Sequence, residues 1–583
     1  MSSLGNFVWS IADQLRGVYK PHQYGGVILP FTILRRLDCI LAATRDDVRT
    51  LAKKYDSGAL DVRVKRKTGL GFYNTSEYDF ARLLEDPEGL RSNLLDYITH
   101  FSSNIDVFER FKFENEIATL DEKHRLYLVV SKFAEVDLHP DTVPNAEMGD
   151  LFEELIRKFA EASNEEAGEH YTPRDAIRLI VDLLFAEDNT ALLEPGTVRS
   201  IYDPTAGTGG MLSVAEERLL ERNPQARLRL YGQEINDESY AICKSDMIAK
   251  GQDASNIRLG DTLAEDLFWD KTFDFCMSNP PYGVDWKASE ASVKAERLNT
   301  GPAGRFGPGL PSVKDGQMLF LSHLAHKMRP EHEGGGRAGI VLNGSPLFTG
   351  NAGQGPTEIR RWLLENDLVE AIVALPTNMF FNTDIATYIW LLDNTKRAER
   401  RGRVQLIDAS GFYVKMRKKL GDKNREVDAE SRERILNIYD DFDQQVEENA
   451  AFSRVFDASN FGYWTVTVER AVLDDSGKPV TDRKGTPKPD VKLRDTENVP
   501  FTYGGNTAGR AGQDETIKTY FETEVLPHVP DAWIDHKKTK VGYEIPFTRY
   551  FYKYAQPRPL AEIDAELEAQ VATILRLLRE IEQ

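Results

Sequence analysis

Apolar residues recur at helical spacing through the first part of the chain. Phe7, Ile11, Leu15 and Val18 form one face, and Ile28, Phe31, Ile33, Leu34, Leu37 and Ile40 form a second. The same spacing predicts helices at Glu77–Leu84, Leu90–Phe101 and Asp121–Phe133, and one over Met148–Ala162 marked by Leu151, Leu155, Ile156 and Phe159. No catalytic constellation falls within residues 1–165, which read as a helical packing or docking domain. From Tyr171 the texture changes to strand and helix in turn. Thr172-Pro173 opens a helix with Ile177, Ile180, Leu183 and Leu184 on its apolar face, a Thr cap followed by Pro being a start signal. Strands are predicted at Ser200–Tyr202, Arg227–Gly232, Asn256–Leu259, Thr272–Met277, Ala338–Asn343, Leu368–Leu375, Ala386–Leu392 and Val404–Asp408. Helices fit between them at Met211–Glu221, Asp237–Lys250, Gln317–Met328 and Thr357–Glu365. Such alternation specifies a mostly parallel sheet covered on both faces, an α/β fold.

Two interruptions and the end of the chain differ from this pattern. Val284–Lys314 is a long Gly- and Pro-bearing segment with Lys287, Lys294, Arg297, Arg305 and Lys314, read as a mobile loop or one facing phosphates. The run Lys415, Arg417, Lys418, Lys419, Lys423 and Arg425 reads first as a solvated helix face and second as a DNA contact. Asp474–Asp490 reads as an exposed linker or hairpin excursion. Leu567, Val571, Ile574, Leu578 and Ile581 form a heptad seam. The domains so drawn are a helical N-terminal domain (1–165), an α/β domain (166–410), an extension with a linker (411–559) and a coiled-coil-like helix (560–583).

Composition bounds the function. With 583 residues, 41% of them hydrophobic and 28% charged, the chain can bury several cores. It has no apolar run long enough for a bilayer and no N-terminal h-region, so no membrane is expected and the compartment is cytoplasmic. Cys39, Cys243 and Cys276 are scattered, which leaves no disulfide framework and no metal site. The net charge of −20 opposes nucleic acid, whose affinity comes largely from neutralised phosphates. A nucleic-acid enzyme of this charge needs a local basic surface or a partner that supplies the contact.

The chemistry-bearing stretch is Asp274–Gly283, a buried strand running into Asn279-Pro280-Pro281-Tyr282. Two prolines fix φ at successive positions and bias Asn279 towards extended backbone. One amide side chain and one carbonyl are thereby aimed at the C-terminal edge of a sheet, where ligands of open α/β sheets sit. An aromatic amine is a poor nucleophile because its lone pair is conjugated into the ring. Acceptors at the Asn279 oxygen and the Pro280 carbonyl would draw it towards tetrahedral geometry, with Tyr282 stacked on a flipped base. Upstream, Asp203-Pro204-Thr205-Ala206-Gly207-Thr208-Gly209-Gly210 joins a strand to a helix, as a close ligand approach requires. It is neither the dinucleotide fingerprint nor a P-loop. An acid at the strand end suits a cofactor carrying positive charge, such as S-adenosylmethionine. Glu234, after the second strand, is placed to accept from ribose hydroxyls, and Asp261, after the third, from an adenine amino group.

These residues resemble the amino-methyltransferases of DNA, specifically the methylation subunit of type I restriction–modification systems. Asp203–Gly210 is similar to their cofactor loop and Asn279–Tyr282 to their catalytic tetrapeptide, in the order of the gamma group of adenine-N6 enzymes. Gly168-Glu169-His170-Tyr171-Thr172-Pro173 resembles the segment that closes over the methionine part of the cofactor, although the family has an aromatic ring where His170 stands. Leu15-Arg16-Gly17, Leu34–Leu37, Gly339–Ser345 and Leu368–Leu392 are similar to further parts of that subunit, and Phe380 or Phe381 is the ring expected opposite Tyr282. The resemblance implies a Rossmann-like S-adenosylmethionine-dependent methyltransferase domain between a helical N-terminal domain and a helical tail. It implies methylation of adenine N6 in double-stranded DNA, with sequence choice made by a specificity subunit, a second copy of the chain alongside, and a restriction subunit able to join. Asn-Pro-Pro-Tyr also serves amide chemistry, so methylation of a protein glutamine stays open, as does a non-catalytic assembly role.

Overall fold

The computed structural model describes residues 10–20, 23–144, 147–148, 155, 172–186, 192–250, 252–381, 383–443, 445–483, 485–552 and 559–581. It contains two compact units, Met1–Ile545 and Pro546–Gln583. The larger is built around a nine-stranded sheet of β1 (Val198–Asp203), β2 (Arg227–Glu234), β3 (Ile257–Leu259), β4 (Phe275–Ser278), β5 (Arg337–Asn343), β6 (Val369–Ala374), β7 (Thr387–Asp393), β8 (Arg403–Asp408) and β11 (Ser453–Asp457). Their order is β11-β8-β6-β7-β5-β4-β1-β2-β3. The strands run parallel except β7, antiparallel to β5 and β6, and β11, antiparallel to β8. The central strands β4, β6 and β7 are buried along their whole length, as continuous apolar runs in a sheet covered on both faces must be. The sheet also takes up β11, well past residue 410.

Between the strands the helices Arg174–Ala186, Gly210–Arg222, Asp237–Ala249, Gln317–Lys327 and Gly355–Glu365 pack on the sheet, with Ile177, Ile180, Leu183 and Leu184 all buried. In the N-terminal region the helix Tyr24–Leu41 is buried nearly throughout. Its Arg36 donates to the carbonyls of Leu138 and Val143, and its Asp38 takes Arg35, Arg45 and the Tyr97 hydroxyl. This region meets the sheet domain through Asp106, which accepts from Lys244 Nζ at 2.7 Å and from Tyr240 Oη at 3.1 Å.

Three expectations are corrected. Asp121–Phe133 is not one helix: Phe113–Glu122 and Leu126–Ala134 are separated by a turn in which His124 adopts φ 54°. Val284–Lys314 is ordered, carrying the helix Glu290–Thr300 and a small core of its own in which Trp286, Val293 and Phe306 join Leu263 and Leu319. Arg305 of this segment is buried against Glu296 and the carbonyls of Thr262 and Leu263, so it is structural and faces no phosphate. The basic run is not helical: β9 (Val414–Leu420) and β10 (Lys423–Glu426) form a separate antiparallel ribbon. Asp474–Asp490 forms an exposed excursion bridged at Leu473↔Pro479 and Thr481↔Pro487. Of the helix expected over Met148–Ala162, only Met148 and Leu155 lie within the described residues, and both are buried.

Candidate active site

β1 and β4 are neighbours in parallel register, Ile201 opposite Phe275 and Tyr202 opposite Cys276. The sheet reverses its strand order here, so both C-terminal loops open into one crevice. Asp203 ends β1 fully buried. Its Oδ1 accepts from Thr205 N at 2.9 Å and Thr205 Oγ1 at 3.2 Å, while its buried Oδ2 has no hydrogen-bond partner. Burial pushes this carboxyl up to about 7 against the pull of the two Thr205 hydrogen bonds, and Glu234 adds to the rise. The Thr205 hydroxyl lies 2.7 Å from Ser278 Oγ, tying the two loops together one residue before Asn279.

The glycine loop follows. Gly207 and Gly209 adopt φ 54° and 84°, and a Cβ on Gly209 would lie 2.8 Å from Cys243 Sγ. The Glu234 carboxylate holds this loop, Oε2 accepting from Gly207 N at 2.7 Å and Oε1 from Asn236 N at 2.8 Å. Asp261 accepts from Leu263 N at 2.9 Å and from Ser289 Oγ at 2.5 Å, which anchors the segment after the tetrapeptide to the end of β3.

Asn279 is held from both sides. Its Nδ2 donates to Thr172 Oγ1 at 2.9 Å, and its Oδ1 accepts from Tyr282 Oη at 2.6 Å. The acceptor expected to meet an amino group is therefore engaged by Tyr282. Burial raises the Tyr282 phenol, which keeps it a donor. Of the two rings expected opposite Tyr282 it is Phe380 that meets it, with centroids 6.3 Å apart and planes at 89°. This is an edge-on contact and not the parallel stack a sandwiched base requires. Pro173 accepts the first backbone bond of the helix that follows it, from Ile177 N at 3.1 Å. Glu169, His170 and Tyr171 lie outside the described residues.

A cleft of about 320 Å³ joins these groups. Thr172, Asp203, Ala206, Gly207, Thr208, Gly210, Glu234, Asp261, Asn279 and Pro281 line it, while Pro173, Gly209, Pro280 and Tyr282 are not among its lining residues. The sequence reading missed its apolar wall of Ile235, Leu263, Val284, Trp286 and Phe320. Ile235 carries a legible signal, since an apolar residue between a strand-end acid and the helix cap Asn236 has no core to enter, and it is 66% exposed. Trp286 carries none, because its place depends on the folding of the segment after Tyr282.

Residues 144–462 match the family model described as N-6 DNA Methylase, and residues 4–133 match the HsdM N-terminal domain. The chain belongs to the N-6 DNA methylase family. It is a DNA methyltransferase acting on adenine N6, with S-adenosylmethionine as methyl donor. Among its relatives, the type I restriction enzyme MjaIX methylase subunit of Methanocaldococcus jannaschii is 26% identical over 467 residues, 75% of this chain and 76% of the relative. The EcoKI methylase subunit of Escherichia coli is 25% identical, covering 48% of this chain and 50% of the relative. The crystal structure of a type I restriction–modification methyltransferase subunit from Streptococcus thermophilus has the same fold, with a TM-score of 0.59 at 24% identity over 78% of this chain and 95% of the other. The resemblance read from the motifs holds, and a DNA substrate sets the glutamine-amide reading aside. The methylase cleft also suits its methyl donor: the orphaned Asp203 oxygen matches a cation, and the apolar wall matches a flat heterocycle.

The glycines of the loop separate under substitution. Gly209→Ala places a Cβ against Cys243 at positive φ and is expected to lower stability by about 1–3 kcal/mol. At Gly210 the nearest atom to an added Cβ is Ile177 Cδ1 at 3.8 Å, so Gly210→Ala is expected to be neutral or slightly stabilising at this helix start. Denaturant melts of the two variants check this, and equal effects would contradict the described loop geometry.

Proposed function

We propose that the chain is the modification subunit of a type I restriction–modification complex and that Asn279, Pro280 and Tyr282 carry methyl transfer to an extruded adenine. The observation behind the catalytic assignment is the placement of Asn279, braced by Thr172 and two prolines, at the rim of a cleft whose buried acid lacks a partner. S-adenosylmethionine supplies an electrophilic methyl group. The Asn279 Oδ1 and the Pro280 carbonyl accept hydrogen bonds from the two adenine N6 hydrogens and orient the nitrogen lone pair towards that methyl group. As N6 gains the methyl it gives up one of these protons, which passes to solvent. For the base to enter, Tyr282 Oη gives up Asn279 Oδ1, and its ring turns from the edge-on contact with Phe380 to cover the base. Asp203 faces the cofactor's positive charge. Glu234, with each oxygen already on a backbone N–H, retains lone pairs for ribose hydroxyls. Asp261 uses most of its acceptor capacity on Leu263, Ala264 and Ser289, so its larger part is to hold the Val284–Ser289 wall. Glu169, His170, Tyr171, Thr172 and Pro173 are assigned to the segment over the methionine end.

Sequence choice is assigned to a specificity subunit, with a second copy of this chain and a restriction subunit completing the complex on double-stranded DNA. The helix Leu560–Ile581 supports this division, since Leu567, Val571 and Ile574 of its seam are about half exposed. Among the described residues no helix is long and apolar enough to cross a membrane, in keeping with the cytoplasm as the site of action.

Asn279→Ala is expected to lower methylation by at least ~10²–10³ in kcat while leaving S-adenosylmethionine affinity within about tenfold. Turnover close to the parent would exclude the mechanism. Because cofactor charge favours ionised Asp203, whose carboxyl sits near 7 in the free protein, calorimetry should show tighter cofactor binding from about pH 6 to about pH 8, with proton release at the lower pH. Asp203→Asn should flatten that profile, and a profile unchanged by the substitution would remove Asp203 from the site. A chain ended at Pro559 is expected to bind S-adenosylmethionine but not to co-purify with its specificity subunit; normal assembly would assign the seam elsewhere.

A further inference from the structure

We propose that the β9–β10 ribbon is a phosphate-backbone contact for the DNA strand beside the extruded base, made by Lys415, Arg417 and Lys418. The inference rests on the reading that adenine enters next to Tyr282 and Phe380. The ribbon stands apart from the nine-stranded sheet, and its β9 strand pairs with β10 alone. It is fastened to the loop that carries Phe380: Asp422 N donates to Phe381 O at 2.8 Å, Asn424 N to Asn378 O at 3.0 Å, and Arg425 Nη1 to Thr377 Oγ1 at 2.8 Å. Asn378 takes φ 57° to present that carbonyl. Lys423 is buried, donating to Met379 O and to both Asp175 oxygens at 3.0 Å. Asp175 lies three residues after Thr172, which braces Asn279. The ribbon, the Phe380 loop and the catalytic amide are thus mechanically one assembly.

The basic residues of the ribbon divide in two. Lys423 and Arg425 serve the fold. The side chains of Lys415, Arg417 and Lys418 are exposed and make no hydrogen bond or ion pair among the described residues, while Lys419 has only a surface contact to Asp422 at 3.7 Å. In a chain of net charge −20, cations that nothing internal requires are concentrated on a ribbon hydrogen-bonded to the loop that carries Phe380. Extrusion brings the phosphates on either side of the flipped nucleotide to that rim, and an exposed β-ribbon is narrow enough to follow a duplex groove. The arrangement supplies the local basic surface that the overall charge denies.

The test compares the parent with the Lys415→Ala/Arg417→Ala/Lys418→Ala variant, each in complex with the specificity subunit, by anisotropy of a labelled duplex over a range of KCl. The slope of log affinity against log salt should fall by about 2–3. The DNA KM should rise by about tenfold or more, with S-adenosylmethionine affinity and thermal unfolding unchanged. An unaltered slope would overturn the proposal. So would failure of the variant to hold the specificity subunit, which would make the ribbon a protein-docking surface. A parent complex that binds DNA through the ribbon but forms no N6-methyladenine would instead overturn the methylation reading.

Discussion

A chain of short hydrogen bonds ties the two loops of the site together. Asp203 holds Thr205, Thr205 meets Ser278, and at the next residue Thr172 takes the Asn279 amide. The chain exists because β1 and β4 are neighbours, so that two loops far apart in sequence end side by side. Its consequence is orientation: with Nδ2 committed to Thr172, the Asn279 oxygen points outward to Tyr282. A buried acid with one unpaired oxygen is costly to the free protein, a cost that burial lowers by raising the carboxyl towards about 7 and that a positively charged ligand would offset.

The two segments around this core do different work. The segment after Tyr282 builds part of the cleft's apolar wall, with Trp286 in a small core and Ser289 fastened to Asp261. The loop and ribbon beyond β6 bring Phe380 against Tyr282, the side assigned to the base under the proposed function, with β10 hydrogen-bonded to Asn378 and the turn residue Asp422 to Phe381. The Tyr282 hydroxyl engages the Asn279 oxygen in the free protein, and under the proposed mechanism base entry has to release it.

The sheet was legible because its central strands β4, β6 and β7 are buried along their whole length and carry apolar runs. The observed bounds of the predicted strands lie within a few residues of those expected, whereas the edge strand β11, half-buried and without such a run, was not read. Asp203–Gly210 and Asn279–Tyr282 were legible because glycine and proline act on the backbone wherever they occur. Other features were not. The turn at His124 is left-handed without glycine, so no residue type announces it. In Val284–Lys314 glycine and proline masked the widely spaced Trp286, Val293 and Phe306, which cohere only once Leu263 and Leu319 are beneath them. The basic run lacks the apolar alternation that marks a strand, because its ribbon covers no core. The bond between Tyr282 and Asn279 depends on side-chain orientation, which the tetrapeptide leaves free.

The central claim is that Asn279 presents its acceptor to the exocyclic amino group of an extruded adenine. Locating the transferred group tests it most directly. DNA incubated with methyl-labelled S-adenosylmethionine and the complex of this chain with its specificity subunit should, after digestion to nucleosides and mass spectrometry, carry label in N6-methyl-2′-deoxyadenosine alone. Label in methylated cytosine, or in protein glutamine with none in DNA, would contradict the account.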